Sequence, residues 1–480
     1  MSFRKLLPLI LVFAGTAANA QVKSLYNYQD LSRFYYEKQK DSLKKAWVCP
    51  DAFKDRATQK EYRDLWERRT NAVVSALADN DYVHDKEVYG YIDDILRQLV
   101  DANKTLVPTK PLLLIDRSPS VNAYSTGGNV LAVNVGIISF ATCREELALI
   151  IAHELSHNIL RHVETSIYLR AQWLGSDEYK QSLKAVLDSK YDRYSRLTRV
   201  VQGYTFSRSR HDRYQESNAD SLAVVLLKKS NIPFNARFFL RLDSSDMQLK
   251  QPLRHPLKDY FTAWRLSYED GWAQRRSKGL SSRTYAFTDT TTIADSLKNH
   301  PDCIVRYNNT KALSVANAHW TPVPTPIVDK VNKMMIWDLY STTDLTECLY
   351  RILLLKDRGN KDPWYDFMAS NIFSGLYYAD RELARFNAIG IVQKELISKD
   401  YYALQTMLEQ IPRDNLKQYC QEMQTQAFWR SADEKDLGAL LGTLALDPDN
   451  SDKNKARAAR AFSSDNANSM YYEFAKKFEK

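Results

Sequence analysis

Two histidines and a glutamate stand together in one short stretch, His153-Glu154-Leu155-Ser156-His157. Histidines four apart lie one helical turn from each other on the same face, so both imidazoles can reach one cation. Glu154, beside the first of them, is placed for its carboxylate to take a proton from a water held by that cation. The chemistry this predicts is metal-assisted hydrolysis. From Arg144 to His162 the surrounding run is apolar over most of a helix circumference, through Leu147, Ile150, Ile151, Ala152, Leu155 and Ile159. Such a helix is buried, and two imidazoles and a carboxylate buried with it need partners. A metal supplies one. Thr142 and Glu145 have the spacing of a capping box, which predicts the start of the helix; its pattern continues past His162 to about Leu169.

A catalytic zinc takes three protein ligands and keeps a fourth position open. A third histidine in a G-x-x-H continuation is excluded, because Leu160 stands at the glycine position and Val163 at the histidine position. A carboxylate remains. Glu216, in Glu216-Ser-Asn-Ala-Asp220 ahead of the apolar run Leu222 to Leu227, is the leading candidate. Asp220, one turn on, shares its face and can accept the ring N–H of a ligand histidine, fixing the tautomer. Glu164 and Glu178 are rivals without such a partner. Glu216 can equally be an acid near the positive end of a helix.

The elements that must position these residues can be read outward from them. Residues 21–105 form an N-terminal helical scaffold, with apolar and aromatic residues in Tyr26 to Trp47 and Ala57 to Ala78, then Tyr89, Ile92, Ile95, Leu96 and Leu99 at helical spacing. A short β region follows: the apolar run Pro111 to Ile115, a turn-rich link from Asn122 to Gly128, and a strand over 129–135 that alternates Leu131, Val133 and Val135 with small or polar residues. That strand is expected to be half-buried, and is either an ordinary sheet strand or one whose free edge pairs with an extended polypeptide substrate and lays its scissile bond across the metal. Asp177 to Val200 is a charged helical stretch, a lid or an outer flank. Arg208, Arg210, His211 and Arg213 form a basic cluster that solvates a face.

The chain has 480 residues with 67 Lys and Arg against 58 Asp and Glu, a formal charge of +9 with both signs interspersed. This does not point to nucleic acid. Membrane contact is at most peripheral. Residues 1–20 read as a signal peptide: Arg4 and Lys5, an apolar run from Leu6 to Ala14, and Ala18-Asn19-Ala20 as the cleavage site. The protein is therefore expected to be exported, to a periplasmic or extracellular location, with cleavage near Ala20. Five scattered cysteines make neither a disulfide framework nor a zinc-ligand spacing. After a catalytic core over 106–321, Pro-rich residues 322–328 read as a linker. Residues 329–480 read as a C-terminal helical domain, repeat-like or a plain bundle, suited to holding a protein partner. Expected helices there run over Thr343 to Leu355, Trp364 to Ala388, Ile389 to Ile411 and Asp414 to Ala432.

Four segments resemble the HtpX and CAAX-prenyl-protease family of gluzincin metallopeptidases. They are Asn122-Ala-Tyr with Gly128, Glu146-Leu147 through His157, Glu216-x-x-Ala219-Asp220, and His300-Pro301 followed by Arg306. The resemblance covers about residues 85 to 310 and is to soluble, exported members, some with a helical-repeat domain after the protease. It implies a mainly α (α+β) fold, a helical zincin-like domain with a small β-sheet. It implies Zn2+ at His153, His157 and Glu216, with Glu154 as base. Beside the metal, His300 would stabilise an oxyanion or occupy the open position in a resting state; Arg306 would neutralise a nearby carboxylate. The expected function is an exported zinc metalloendopeptidase that hydrolyses unfolded or misassembled proteins, in envelope protein quality control. The alternative is a non-proteolytic chaperone or assembly factor with a structural zinc and a helical partner-binding domain.

Overall fold

A computed structural model describes residues 33–78, 81–274, 303–390, 392, 394–426, 452–465, 475–476 and 479. The signal-peptide stretch, His300 and Pro301 lie outside the described residues. The fold is mainly helical with one four-stranded sheet, as expected from the sequence. Helices α1 (Arg33–Ala46) and α2 (Arg56–Ala78) lead to a two-residue strand β1 (Tyr82–Val83) and helix α3 (Lys86–Ala102). Strands β2 (Leu112–Asp116), β3 (Ala123–Gly127) and β4 (Val130–Asn134) follow, then α4 (Val135–Phe140), α5 (Arg144–Ile159), α6 (His162–Gly175), α7 (Asp177–Leu187) and the long α8 (Arg193–Lys229).

The strand order is β1-β2-β4-β3, with β2 and β4 parallel and the other pairs antiparallel. This corrects two expectations. Strand β4 is interior, hydrogen-bonded on both sides, so residues 129–135 present no free edge; within this sheet the edge beside α5 belongs to β3. Nor is β4 half-buried: all five of its residues are buried. Leu131 and Val133 face the core shared with α3 and α5, while Val130 and Ala132 face a second cluster with Tyr36, Trp47 and Val73. The N-terminal helices thus cover the face left free in the sequence pattern, and small apolar residues there satisfy both sides.

The β3–β4 reversal depends on its glycines. Gly127 and Gly128 have φ of 74° and 60°, and a Cβ on Gly128 would stand 2.0 Å from the Trp47 indole nitrogen. That nitrogen donates to the Gly128 carbonyl at 2.8 Å, clamping the hairpin to α1.

Helix α5 is buried on nearly every side, which agrees with its all-round apolar composition. Its start differs from the expected capping box. Cys143 is the N-cap and makes no side-chain cap bond; Glu146 rather than Glu145 reaches back, accepting from Thr142 N at 2.9 Å. Glu145 accepts instead from Thr321 N at 2.9 Å, because residues 321–323 bridge against Cys143 and hold the helix entrance. Glu146, fully buried, also takes Arg241 Nε at 2.8 Å.

The expected linker at 322–328 is consequently not one. Val323 and Ile327 are buried, and the helix Thr325–Ser341 begins within it and packs on α3 and α4. One apolar cluster runs from Val83 through these residues to Met423, so the C-terminal helices share the core of the catalytic part. Observed C-terminal helices span Leu345–Asp357, Pro363–Arg381, Arg385–Ile389, Lys399–Gln410, Arg413–Gln424 and Asp452–Asp465. The long helices expected over 364–388 and 389–411 break at Leu383 and Gly390, which adopt positive φ. No disulfide joins any two cysteines among the described residues.

Candidate metal centre

Helix α8 lies against α5 and delivers the third group to the histidine pair. On α8 the small, fully buried Ala219 and Ala223 lie on the side of the helix that carries Glu216 and Asp220, which suits a close approach. Glu216 then meets both rings. Its Oε2 lies 3.3 Å from His153 Nε2 and its Oε1 3.3 Å from His157 Nε2, and the two Nε2 atoms are 3.1 Å apart. Four bonds of about 2.0–2.1 Å in a tetrahedron require donor atoms about 3.3 Å apart. Two ring nitrogens and a carboxylate are the donor chemistry of a three-ligand zinc site, each ring nitrogen meets one Glu216 oxygen at this spacing, and the three residues form a metal-capable cluster among the described residues.

What lies behind the ligands fixes their orientation. Asp220 Oδ1 is 2.9 Å from His153 Nδ1, which turns Nε2 toward Glu216. Arg306, from the helix Cys303–Thr310, grips the same carboxylate with Nε at 2.8 Å and Nη2 at 2.6 Å, and its guanidinium lies 4.3 Å over the Phe239 ring. Burial works against the Asp220 charge, but the bonds from His153 and Arg306 outweigh it and hold this carboxyl below the usual range. For His153, burial and the Arg306 charge oppose protonation; the carboxylates of Asp220, Glu216 and Glu154 overcome both and raise its pKa to about 9 when the donors face one another alone.

Glu154 is buried on the ligand side, with Oε1 4.0 Å from His153 Nε2. The rival ligands are elsewhere: Glu164 accepts from Gly128 N at 2.9 Å and braces the hairpin, and Glu178 is exposed on the first turn of α7. Glu216 is not near a helix start, since α8 begins at Arg193, more than twenty residues earlier. Of the predicted site residues, the structure brings together His153, Glu154, His157, Glu216, Asp220 and Arg306; His300 lies outside the described residues.

Two contributors escaped the sequence pattern. On an uninterrupted helix His162 would point away from His157, five positions earlier. Instead α5 stops at Ile159, Arg161 takes a left-handed φ of 55°, and the chain folds back. His162 Nδ1 comes to 2.9 Å from His157 Nδ1. Burial pushes the His162 pKa down, so a neutral ring accepts the His157 Nδ1–H and leaves Nε2 for the metal. Asn158, one residue past the motif, takes the Ser125 hydroxyl at 2.7 Å and donates to Val130 O at 3.2 Å, joining the histidine helix to the β3–β4 hairpin. The local signal for the fold-back was weak, a polar Asn158 and Arg161 within an otherwise apolar run.

Comparison with known proteins finds likenesses over the same part of the chain. Residues 87–312 match the sequence profile of peptidase family M48, a family of metallopeptidases. A Vibrio cholerae protein named beta-barrel assembly-enhancing protease is 26% identical over 186 residues. The aligned part spans 37% of this chain and 38% of that relative, well under half of either. The matched segment contains the whole His153, His157 and Glu216 cluster with Glu154, Asp220 and Arg306, so the likeness to peptidase family M48 falls on the part of the chain that holds the candidate metal centre.

Proposed function

We propose that the chain is an exported zinc metalloendopeptidase that cleaves unfolded or misassembled polypeptides in the cell envelope. The observation that carries the reading is that the Glu216 carboxylate meets both rings, one oxygen 3.3 Å from each Nε2 with the two Nε2 atoms 3.1 Å apart, while the buried Glu154 carboxylate lies 4.0 Å from His153 Nε2. His153, His157 and Glu216 would hold a zinc ion, which would supply Lewis acidity toward a water and a substrate carbonyl. Glu154 takes the proton of the attacking water and returns it to the leaving nitrogen. Asp220, fixed by Arg306, holds the His153 tautomer, and His162 holds that of His157.

Substrate binding falls to β3. Its outer edge, unpaired by any strand among the described residues, is tied to α5 through Ser125 and Asn158, so an extended segment pairing there would run past the ligand cluster. This replaces the 129–135 edge expected from the sequence. His300, if brought to the open side, would serve the oxyanion or hold a resting state. Export rests on the basic start, apolar run and Ala18-Asn19-Ala20 of the first twenty residues. The envelope role draws on the name of the Vibrio cholerae relative.

The test is casein digestion by wild type and Glu154→Gln, with zinc measured in both. Equal zinc and lost hydrolysis is the expected result. Undiminished cleavage by the variant would end the proposal. Lost hydrolysis with intact biological activity would favour the assembly-factor alternative, in which the C-terminal helices act.

A further inference from the structure

The stretch from Lys180 to Arg213 covers most of α7, the turn after it and the first half of α8. It holds nine Lys and Arg against three Asp and Glu; with Asp177 and Glu178, which open α7, the balance over residues 177–213 is nine against five, a net of +4, where the whole chain carries +9. It also exposes large apolar groups: Tyr191 is 79% and Tyr194 85% exposed, and Leu187 59%. On α8, Tyr194, Leu197 and Val201 follow i, i+3, i+7 spacing and form one stripe, with Leu197 and Val201 38% and 46% exposed. Arg193, Arg196 and Arg199 take the remaining circumference. A stripe of this kind ordinarily faces a core, yet Tyr194, Leu197 and Val201 are all exposed.

Tyrosines and aliphatic side chains interleaved with fixed cations are the composition of helices that lie in the surface of an anionic bilayer. The rings and aliphatic groups enter the headgroup boundary and the cations meet phosphates. An acidic soluble partner would answer the charge alone and leave the stripe in water. We propose that α7 and the first half of α8 form a docking surface for an anionic phospholipid bilayer, holding the enzyme peripherally on it. No helix among the described residues is long and apolar enough to cross a membrane, so this contact is with the surface. At about 1.5 Å rise per residue, some 33 Å of helix separates Tyr194 from Glu216. The metal cluster would therefore work at a set distance from the lipid. The inference does not depend on the peptidase reading.

The experiment is sedimentation of the full chain with vesicles of phosphatidylcholine alone or mixed with phosphatidylglycerol. Binding to the anionic vesicles should exceed binding to the neutral ones by more than about tenfold and weaken with salt. The triple change Arg193→Glu, Arg196→Glu, Arg199→Glu should remove that difference, and Tyr191→Ser, Tyr194→Ser, Leu197→Ser should reduce it severalfold. Both variants should keep wild-type zinc content, unfolding midpoint and casein hydrolysis. Equal binding to both vesicle types, or to neither, overturns the proposal. So does wild-type vesicle binding by the variants. A charge-reversed variant that keeps its vesicle binding but loses casein cleavage would assign the surface to acidic polypeptide and likewise overturn it.

Discussion

The two halves of α8 show what one helix does in two environments. From Arg193 to about Val201 nearly every residue faces solvent, and charge and tyrosine dominate. From Glu216 on, the helix presses Ala219 and Ala223 toward α5 and holds two buried carboxylates. Helical geometry is the same throughout, so the difference lies in what is packed against each half. In the buried half, imidazoles and Arg306 meet the carboxylates of Glu216 and Asp220, and the bonds to Asp220 hold its carboxyl below the usual range. In the exposed half, water does that work. A substitution of the same size should therefore cost very different amounts at the two ends.

The largest effect sharpens the role of the buried side. Glu154→Gln should lower casein hydrolysis by about 10²–10⁴-fold while zinc content, measured by mass spectrometry, stays at wild-type level. Next, Arg306→Ala strands the Asp220 carboxylate in the core and should cost about 3–5 kcal/mol in denaturant unfolding of the metal-free protein. An unchanged midpoint would mean that Asp220 has water around it and that the halves differ less than their burial suggests. Asp220→Ala should weaken zinc affinity about 10–100-fold in a chelator competition. At the other end, Tyr194→Ser should shift stability by no more than about 0.5 kcal/mol. A larger loss would show that the exposed half is packed against something in the folded chain.

The pH dependence follows from His153, whose pKa stands near 9 in the metal-free cluster against an ordinary 6.5. A raised folded value stabilises the metal-free fold fully below about 6.5, and that stabilisation is lost as pH rises through about 9. Zinc needs the same Nε2 lone pair, so its binding displaces the proton. Calorimetry at pH 7 in buffers of different ionisation enthalpy should show net proton release on zinc binding, and the release should vanish near pH 10.

Much of the site was legible because its spacing is local. His153 and His157 are one turn apart whatever surrounds them, and Glu216 with Asp220 repeats that geometry. The apolar run through Ile150 and Leu155 forecast burial of the helix correctly. Features that join distant segments were not legible. Nothing near residues 129–135 announces that α1 and α2 cover the second face of β4, or that β3 takes the edge. Nothing near Cys143 announces the strand-like contact with Pro322 that redirects Glu145 to Thr321 and makes the proline-rich stretch part of the core. His162 was hidden because one left-handed residue, Arg161, overrides the helical period that places side chains on faces.

By itself, the sequence determined which groups can bind a metal, which one can move a proton, and that the helix bearing them is buried. These follow from residue type and from a 3.6-residue turn, which need no third dimension to count. The tertiary structure alone decided that Glu216 meets both imidazoles within 3.3 Å, that Arg306 and His162 lock the rings from behind, and that β3 rather than β4 borders the site. Those depend on which surfaces bury each other, and burial is set by the whole chain at once.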